Sequence, residues 1–340
     1  MALVIINMSN TNYQGKLVFG FTKILNGFPT PKFLDIPFAG LSISDTAVRC
    51  IKFGKKRSGL YLEKFYEKNI PVGIVTSGQV NDAEKVTEIL KELKKELGVN
   101  HLKVSLPEEK AYLFTTKIPV VSEQSVKSAI ESKIEDNVPV SPLELTFDYK
   151  VMAKTAEDHL NVVVSALPTT LIDAYVDMVE SGGFSLLSLE IESQAMTRAL
   201  LSPDTVGIAL IVHFDKEKFG LYVESDAVVH FTSTISLGSE ASNSLAFLSQ
   251  EIKKLYTYWH TLKENAGKSE RQIRKIIICG EQFDEDVVAY LSAHNQSAVV
   301  LGNVWTNVLD INQTLPQISF TDSLRYASAV GLALPSDILI

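Results

Sequence analysis

Residues 39–53 (AGLSISDTAVRCIKF) set four small polar side chains, Ser42, Ser44, Asp45 and Thr46, among branched apolar residues. Leu41 and Ile43 come before the polar turn and Val48 and Ile51 after it, a pattern that predicts strand, turn and returning strand. Such a turn aims backbone N–H groups and hydroxyls into one concave nest, which is the chemistry of phosphate binding. The second half repeats the plan. Residues 207–212 (GIALIV) run into a polar break at 213–218, residues 220–223 return, and residues 227–231 continue after Ser225 and Asp226. Two meanders about 167 residues apart predict a duplicated fold whose halves face each other across a cleft.

Other chemistries lack support. The histidines (His101, His159, His213, His230, His260 and His294) are scattered, and the two cysteines lie far apart, so no metal-ligand spacing exists and the histidines read as structural. The chain has no Gly-x-Ser-x-Gly elbow, no Gly-Lys-Ser/Thr phosphate loop and no dinucleotide glycine fingerprint. No residue stands out as catalytic or as a metal ligand. Cys50 and Cys279 each sit in an apolar run and read as buried thiols of a reducing compartment.

The elements that would position the turns follow from length and patterning. A chain of 340 residues with 46% apolar and 21% charged residues predicts a folded, two-lobed body. Its net charge of −8 excludes a nucleic-acid partner, which would call for clustered Lys and Arg. The apolar runs are too short to span a bilayer, and the start lacks a signal-peptide pattern, so a cytoplasmic location is expected. Asn81 and Asp82 predict the cap of a helix to Leu97, with Val86, Ile89, Leu90, Leu93 and Leu97 inward and Gly98 as its stop. Residues 102–106 and 111–118 read as strands, 122–135 as a helix, and 145–152 and 160–166 as a closing pair of strands. Helix 168–180, strand 184–191 and helix 192–201 come next. The second half adds a long helix at 239–266, strand 274–279, helix 285–293, strand 297–301 and a small-residue tail helix at 324–334.

Two segments leave alternatives open. Residues 16–28 show helical spacing of apolar residues with Lys16 and Lys23, which suits either peripheral contact with a membrane surface or an arm packed on the body. Lys52, Lys55, Lys56 and Arg57 make a cationic turn, either a solvated hairpin tip or a contact for anionic lipid or an acidic partner.

From about Pro37 to Pro335 the chain resembles the PilM family of type IV pilus assembly proteins, relatives of the cell-division protein FtsA. The resemblance rests on residues 39–53, on Val104 to Pro107 (VSLP) and on residues 129–142 (AIESKIEDNVPVSP) followed by Asp148 and Tyr149. It also rests on residues 247–259 and on residues 327–335 (ASAVGLALP). It implies an α/β, actin-like two-lobed fold of duplicated ribonuclease-H-like halves with a small α+β insert in the first lobe. The implied division is an N-terminal arm at 1–34, a first lobe at 35–98 and 168–204 with a C-terminal helix at 322–340, an insert at 99–167, and a second lobe at 205–321. It further implies ATP with magnesium between the lobes, at Gly40, Ser42, Ser44, Asp45, Thr46, Arg49 and Gly280. The implied partner is the tail of a PilN-like inner-membrane protein, near the cleft between insert and first lobe, with self-association beside it.

The chain departs from the family pattern at the nucleotide segments. Ser42 and Ser44 replace the Asp and Gly of the first loop, which removes a magnesium-organising carboxylate and adds a side chain where phosphate comes close. The same pair in the second loop aligns with Val212 and Phe214, which places a phenylalanine in the phosphate space; a shift of two residues would bring Asp215 into play instead. Glu281 follows Gly280 where the family has a glycine run. The expectation is a scaffold with a degenerate nucleotide site, and the alternative is a slowly hydrolysing ATPase of the same fold.

Overall fold

The structure, a computed structural model, describes residues 36–335 except 57–58, 153–158, 203–204, 206, 217, 238–243, 263–264, 282, 284–285 and 309–314, and only the backbone of 123, 124 and 244. The arm at 1–34 with its 16–28 segment, Arg57, the first residues of the long helix from 239, and 336–340 of the tail lie outside the described residues. Strands β1 (Phe38–Ile43), β2 (Ala47–Lys56) and β3 (Gly59–Asn69) form an antiparallel meander. A small hairpin, β4 (Val75–Thr76) and β5 (Gln79–Val80), leads into α1 (Ala83–Leu97). Asp82 caps α1 by accepting from the Lys85 N–H, and Gly98 ends it with φ of 65°.

β6 (His101–Leu106) then enters the sheet parallel to β1. This corrects the expected insert at 99–167: Leu102, Val104 and Leu106 are buried in the first lobe's core. An alternating apolar strand suits any sheet, and the helical crossover returns it beside β1. The insert sheet comprises β7 (Tyr112–Pro119), β8 (Leu145–Val151) and β9 (His159–Pro168), with β9 central. Helix α2 (Glu123–Asn137) covers one face through Val126, Ile130 and Ile134. Helix α3 (Thr169–Ser181) and β10 (Ser185–Ile191) complete the first sheet, in the order β10-β6-β1-β2-β3.

After α4 (Glu192–Leu200), the second half builds β11 (Ile208–Phe214), β12 (Lys218–Ser225), β13 (Val228–Ser236), α5 (Ser244–Thr261) and β14 (Ile273–Gly280). It closes with α6 (Asp286–His294), β15 (Ala298–Leu301) and α7 (Ala327–Ala333). Its sheet runs β15-β14-β11-β12-β13, the same order and the same parallel and antiparallel pairings as the first. Helices α1 and α3 cover the outer face of the first sheet, and α5 and α6 that of the second. Between the sheets lies one shared core. Ile51, Met196 and Leu200 meet Ile211, Tyr222 and Ile277 there, with Ala329 and Val330 of α7 among them. Among the described residues no helix is long and apolar enough to cross a membrane.

Close approach of backbones sets this middle layer. A Cβ at Gly40 would lie 2.2 Å from the Ala329 carbonyl oxygen, and one at Gly331 would lie 1.8 Å from that of Ala195. Gly40 therefore lets α7 sit on β1. Gly40→Ala is expected to cost about 3 kcal/mol of stability, read as a lower denaturation midpoint; an unchanged midpoint would show that α7 does not pack there.

Candidate functional site

The turns after β1 and β11 are built alike. Ser44 N–H donates to the Ala47 carbonyl at 2.9 Å, and Asp215 N–H donates to the Lys218 carbonyl at 2.9 Å. Ser44 is thus equivalent to Asp215, Ile43 to Phe214 and Ser42 to His213. The expected alignment of Ser44 with Phe214 is off by one residue. In a strand, one step turns a side chain to the other face. Phe214 accordingly points away from the cleft into the second core, against Phe219 and Phe283, and Asp215 takes the turn.

The turns meet across the cleft. Ser44 Oγ accepts from the N–H groups of Thr46 (3.3 Å) and Ala47 (3.2 Å), so the amides of the expected nest already have a partner. Thr46 Oγ1 lies 3.4 Å from Asp215 Oδ1 and 3.3 Å from Glu281 Oε1. From β2, Arg49 reaches over the cleft: its Nη2 donates to Glu281 Oε2 at 2.8 Å and its Nε to Glu67 Oε1 at 2.9 Å. The side chains of Arg49 and Glu281 are each 7% exposed. Burial opposes the charge of Arg49, but Glu281 and Glu67 outweigh it and hold its pKa above the usual value.

A second tie lies beside the first. Lys218 Nζ contacts Asp45 Oδ2 at 3.3 Å, Asp215 Oδ2 at 3.8 Å and Glu109 Oε1 at short range. Asp45 also accepts from the N–H groups of Ser77 (2.9 Å) and Gly78 (3.0 Å), which binds the first turn to the β4–β5 hairpin. Glu108 Oε2 accepts from the Ser193 N–H at 3.0 Å, at the start of α4. Burial raises the pKa of Glu108 to about 7. Burial also raises that of Glu192, to about 8, with Glu109 reinforcing it. For His213, burial first and then Lys218 and Arg49 push the pKa down to about 3, so the imidazole is neutral.

Ser42, Ser44, Thr46, Arg49 and Gly280, the positions that the resemblance implies for nucleotide, lie together at this junction. Gly40 does not, because it faces α7. Asp45 stands at the side, committed to Lys218 and the 77–78 backbone. Gly280, with φ of 102°, allows its backbone to pass the Phe214 carbonyl, which a Cβ would approach to 2.0 Å. Sequence reasoning missed Lys218, Glu109, Glu192 and Glu67. The one local signal was the polar break at 213–218, in which Lys218 follows the turn.

A sequence profile described as type IV pilus assembly protein PilM matches residues 40–213. The chain belongs to the PilM family. Among solved structures, the PilM–PilN type IV pilus biogenesis complex superposes with a TM-score of 0.74 at 15% identity, over 90% of this chain and 99% of that one. The cytoplasmic domain of EpsL, an inner-membrane component of the Vibrio cholerae type II secretion system, gives 0.48 at 11% identity, covering 76% and 93%. MreB5 of Spiroplasma citri bound to ADP gives 0.48 at 12%, covering 86% and 95%. A search of curated proteins finds no match. The fold of this PilM-family protein is actin-like.

The family resemblance implies ATP and magnesium between the lobes, and at the turns the side chains leave little room between them. The space left among Ser42, Ser44, Arg49, His213, Asp215 and Glu281 is about 10 Å³, the size of one water site. A triphosphate would meet the carboxylates of Asp215 and Glu281, and Arg49 is already neutralised. Asp215 Oδ2 is buried and accepts no hydrogen bond. An outer cavity of about 420 Å³ lies beside Glu67, Asn69, Lys216, Glu281 and Arg325. It is large enough for a small molecule, but two of its walls are the carboxylates held by Arg49.

Two outcomes follow from this geometry. Glu281→Ala removes one partner of a buried ion pair and is expected to cost on the order of 3 kcal/mol, seen as a lower urea midpoint. Glu192 titrates near 4.5 when unfolded and near 8 in the fold, so the native state keeps a proton that the unfolded chain releases. Stability then falls as pH rises through that window. Glu192→Gln, always neutral, should flatten the fall in melting temperature between about pH 6 and about pH 8; parallel curves for variant and wild type would contradict the assignment.

Proposed function

We propose that this PilM-family protein is a cytoplasmic scaffold of type IV pilus assembly, or of a related envelope machine. It would hold the cytoplasmic tail of a PilN-like inner-membrane protein and position it by self-association under the membrane. The observation that carries the scaffold reading is the cleft closed by Arg49–Glu281 and Lys218, which leaves the lobes joined by their own side chains. Family membership and likeness to the PilM–PilN complex support the partner. The tail would sit where insert and first lobe join, a junction at which Leu167 of β9 and Leu171 of α3 are buried in the first core.

One observation favours a second reading, an ATP-binding and slowly hydrolysing protein. Asp215 now stands in the second turn with a buried carboxylate oxygen free of hydrogen bonds. In that reading Asp215→Ala weakens magnesium-dependent nucleotide binding.

The test uses the tail peptide of the organism's own PilN-like protein. Its affinity should be the same with Mg-ATP present and with nucleotide removed by apyrase. Absence of peptide binding in both conditions would sink the scaffold reading, and binding only with Mg-ATP would transfer it to the second.

A further inference from the structure

We propose that the free edge of β3 is a docking strand for an extended segment of another protein, one that carries an apolar residue and a carboxylate two places apart. The site lies apart from the tail site proposed above. β3 is the outermost strand on one side of the first sheet, whereas the insert departs from β6, and β1 and β2 lie between them.

β3 pairs with β2 alone, so one row of its backbone N–H and C=O groups faces outward. Its register shifts opposite Lys52 and Phe53, and from Lys64 to Asn69 it runs without a break, about 20 Å of edge. Lys64, Tyr66 and Lys68 point to the side of α1. There Lys64 Nζ donates to the Glu96 carbonyl, and Lys68 Nζ lies 2.8 Å from Glu92 Oε2. Phe65, Glu67 and Asn69 point to the other side. Phe65 meets Tyr326 edge-on with ring centroids 6.2 Å apart, yet stays 44% exposed. Beyond it, Glu67 and Asn69 form one wall of the outer cavity of about 420 Å³, with Lys216, Glu281 and Arg325 around the rest.

The charges at that cavity suit an acidic side chain. Glu67 and Glu281 are both held by Arg49. Lys216 is exposed, and its side chain has no ion pair among the described residues. Arg325 reaches Glu67 with Nη1 (3.5 Å) and Asp322 with Nη2 (2.9 Å), while its Nε is buried without a hydrogen bond. A strand laid along β3 turns alternate side chains to this face. An apolar one over Phe65 is then followed, two places on, by one at the cavity mouth, where a carboxylate meets Lys216 and Arg325. Lys55 and Lys56, exposed at the end of the same hairpin, extend the positive edge. Other occupants fit worse. A bilayer offers anionic charge but no backbone to pair with the edge. A second copy added by two-fold antiparallel pairing sets Lys64 against Lys68 when centred on Tyr66, and Glu67 against Glu63 when centred on Phe65.

The experiment selects binders to the full chain, without nucleotide, from a displayed library of random short peptides, and measures them by fluorescence anisotropy. Selected peptides should carry Asp or Glu two places from an apolar residue. Lys216→Glu and Phe65→Ser should each weaken binding roughly tenfold, and Lys216→Ala should weaken it less than Lys216→Glu, a grading that misfolding does not give. N-methylation at successive peptide residues should alternate between loss and no effect, as pairing with a strand edge requires. Three results would overturn the proposal: no acidic peptide selected, peptides that bind both variants as tightly as wild type, or N-methylation effects that do not alternate. Binding to vesicles of anionic phospholipid that Lys216→Glu removes, with no peptide selected, would give the edge to a bilayer instead. Because the tail peptide is placed at the insert, this test can fail while that one succeeds.

Discussion

A guanidinium almost out of water must be met by carboxylates, and that constraint governs the relation between the two lobes. Arg49 is rooted in β2 of the first sheet, while Glu281 follows β14 of the second. Neither side chain can be left unpaired at low cost. Opening the cleft would strand Glu281 and leave Arg49 with Glu67 alone, so the closed arrangement is the one in which the charges are best satisfied. Lys218 repeats the logic a few ångströms away with Asp45, Glu109 and Asp215.

These polar ties act on a scaffold that apolar packing has already brought close. Helices α4 and α7 lie between the sheets, and Gly40 and Gly331 let them approach strand and helix backbones. The shared core fixes distance, and the ion pairs fix register across the cleft. In an actin-like frame the same cleft is where a nucleotide would bridge the lobes. Here Glu281 and the Ser44 hydroxyl occupy the partners a phosphate would need, since one brings negative charge and the other takes the turn amides. Fold and family are kept, and at the two turns side chains of the chain itself meet across the cleft.

Much of the fold was legible because its signals are local. Asp82 and Gly98 bracket α1, and the alternation through Leu41, Ile43, Val48 and Ile51 gives the first hairpin. The repeat of this hairpin at 208–225 was visible too. What failed was anything decided by register or by distant partners. β6 reads the same whether it joins the insert or the first sheet. Phe214 and Asp215 differ by one step, which inverts their faces and changes an obstructing phenylalanine into a core residue. Lys218 shows only its place in the polar break at 213–218 and nothing of its partners, because Asp45 and Glu109 are 173 and 109 residues away. Gly40 looked like a phosphate-loop glycine, but the helix it accommodates lies near the other end of the chain.

The central claim is that the lobes are joined by side chains and not by a nucleotide. Titration calorimetry of the purified protein with Mg-ATP, and with ATP free of magnesium, tests it most directly. The account predicts no binding heat in either case at millimolar nucleotide. Micromolar, magnesium-dependent binding would contradict it and would mean that the Arg49–Glu281 pair gives way to phosphate.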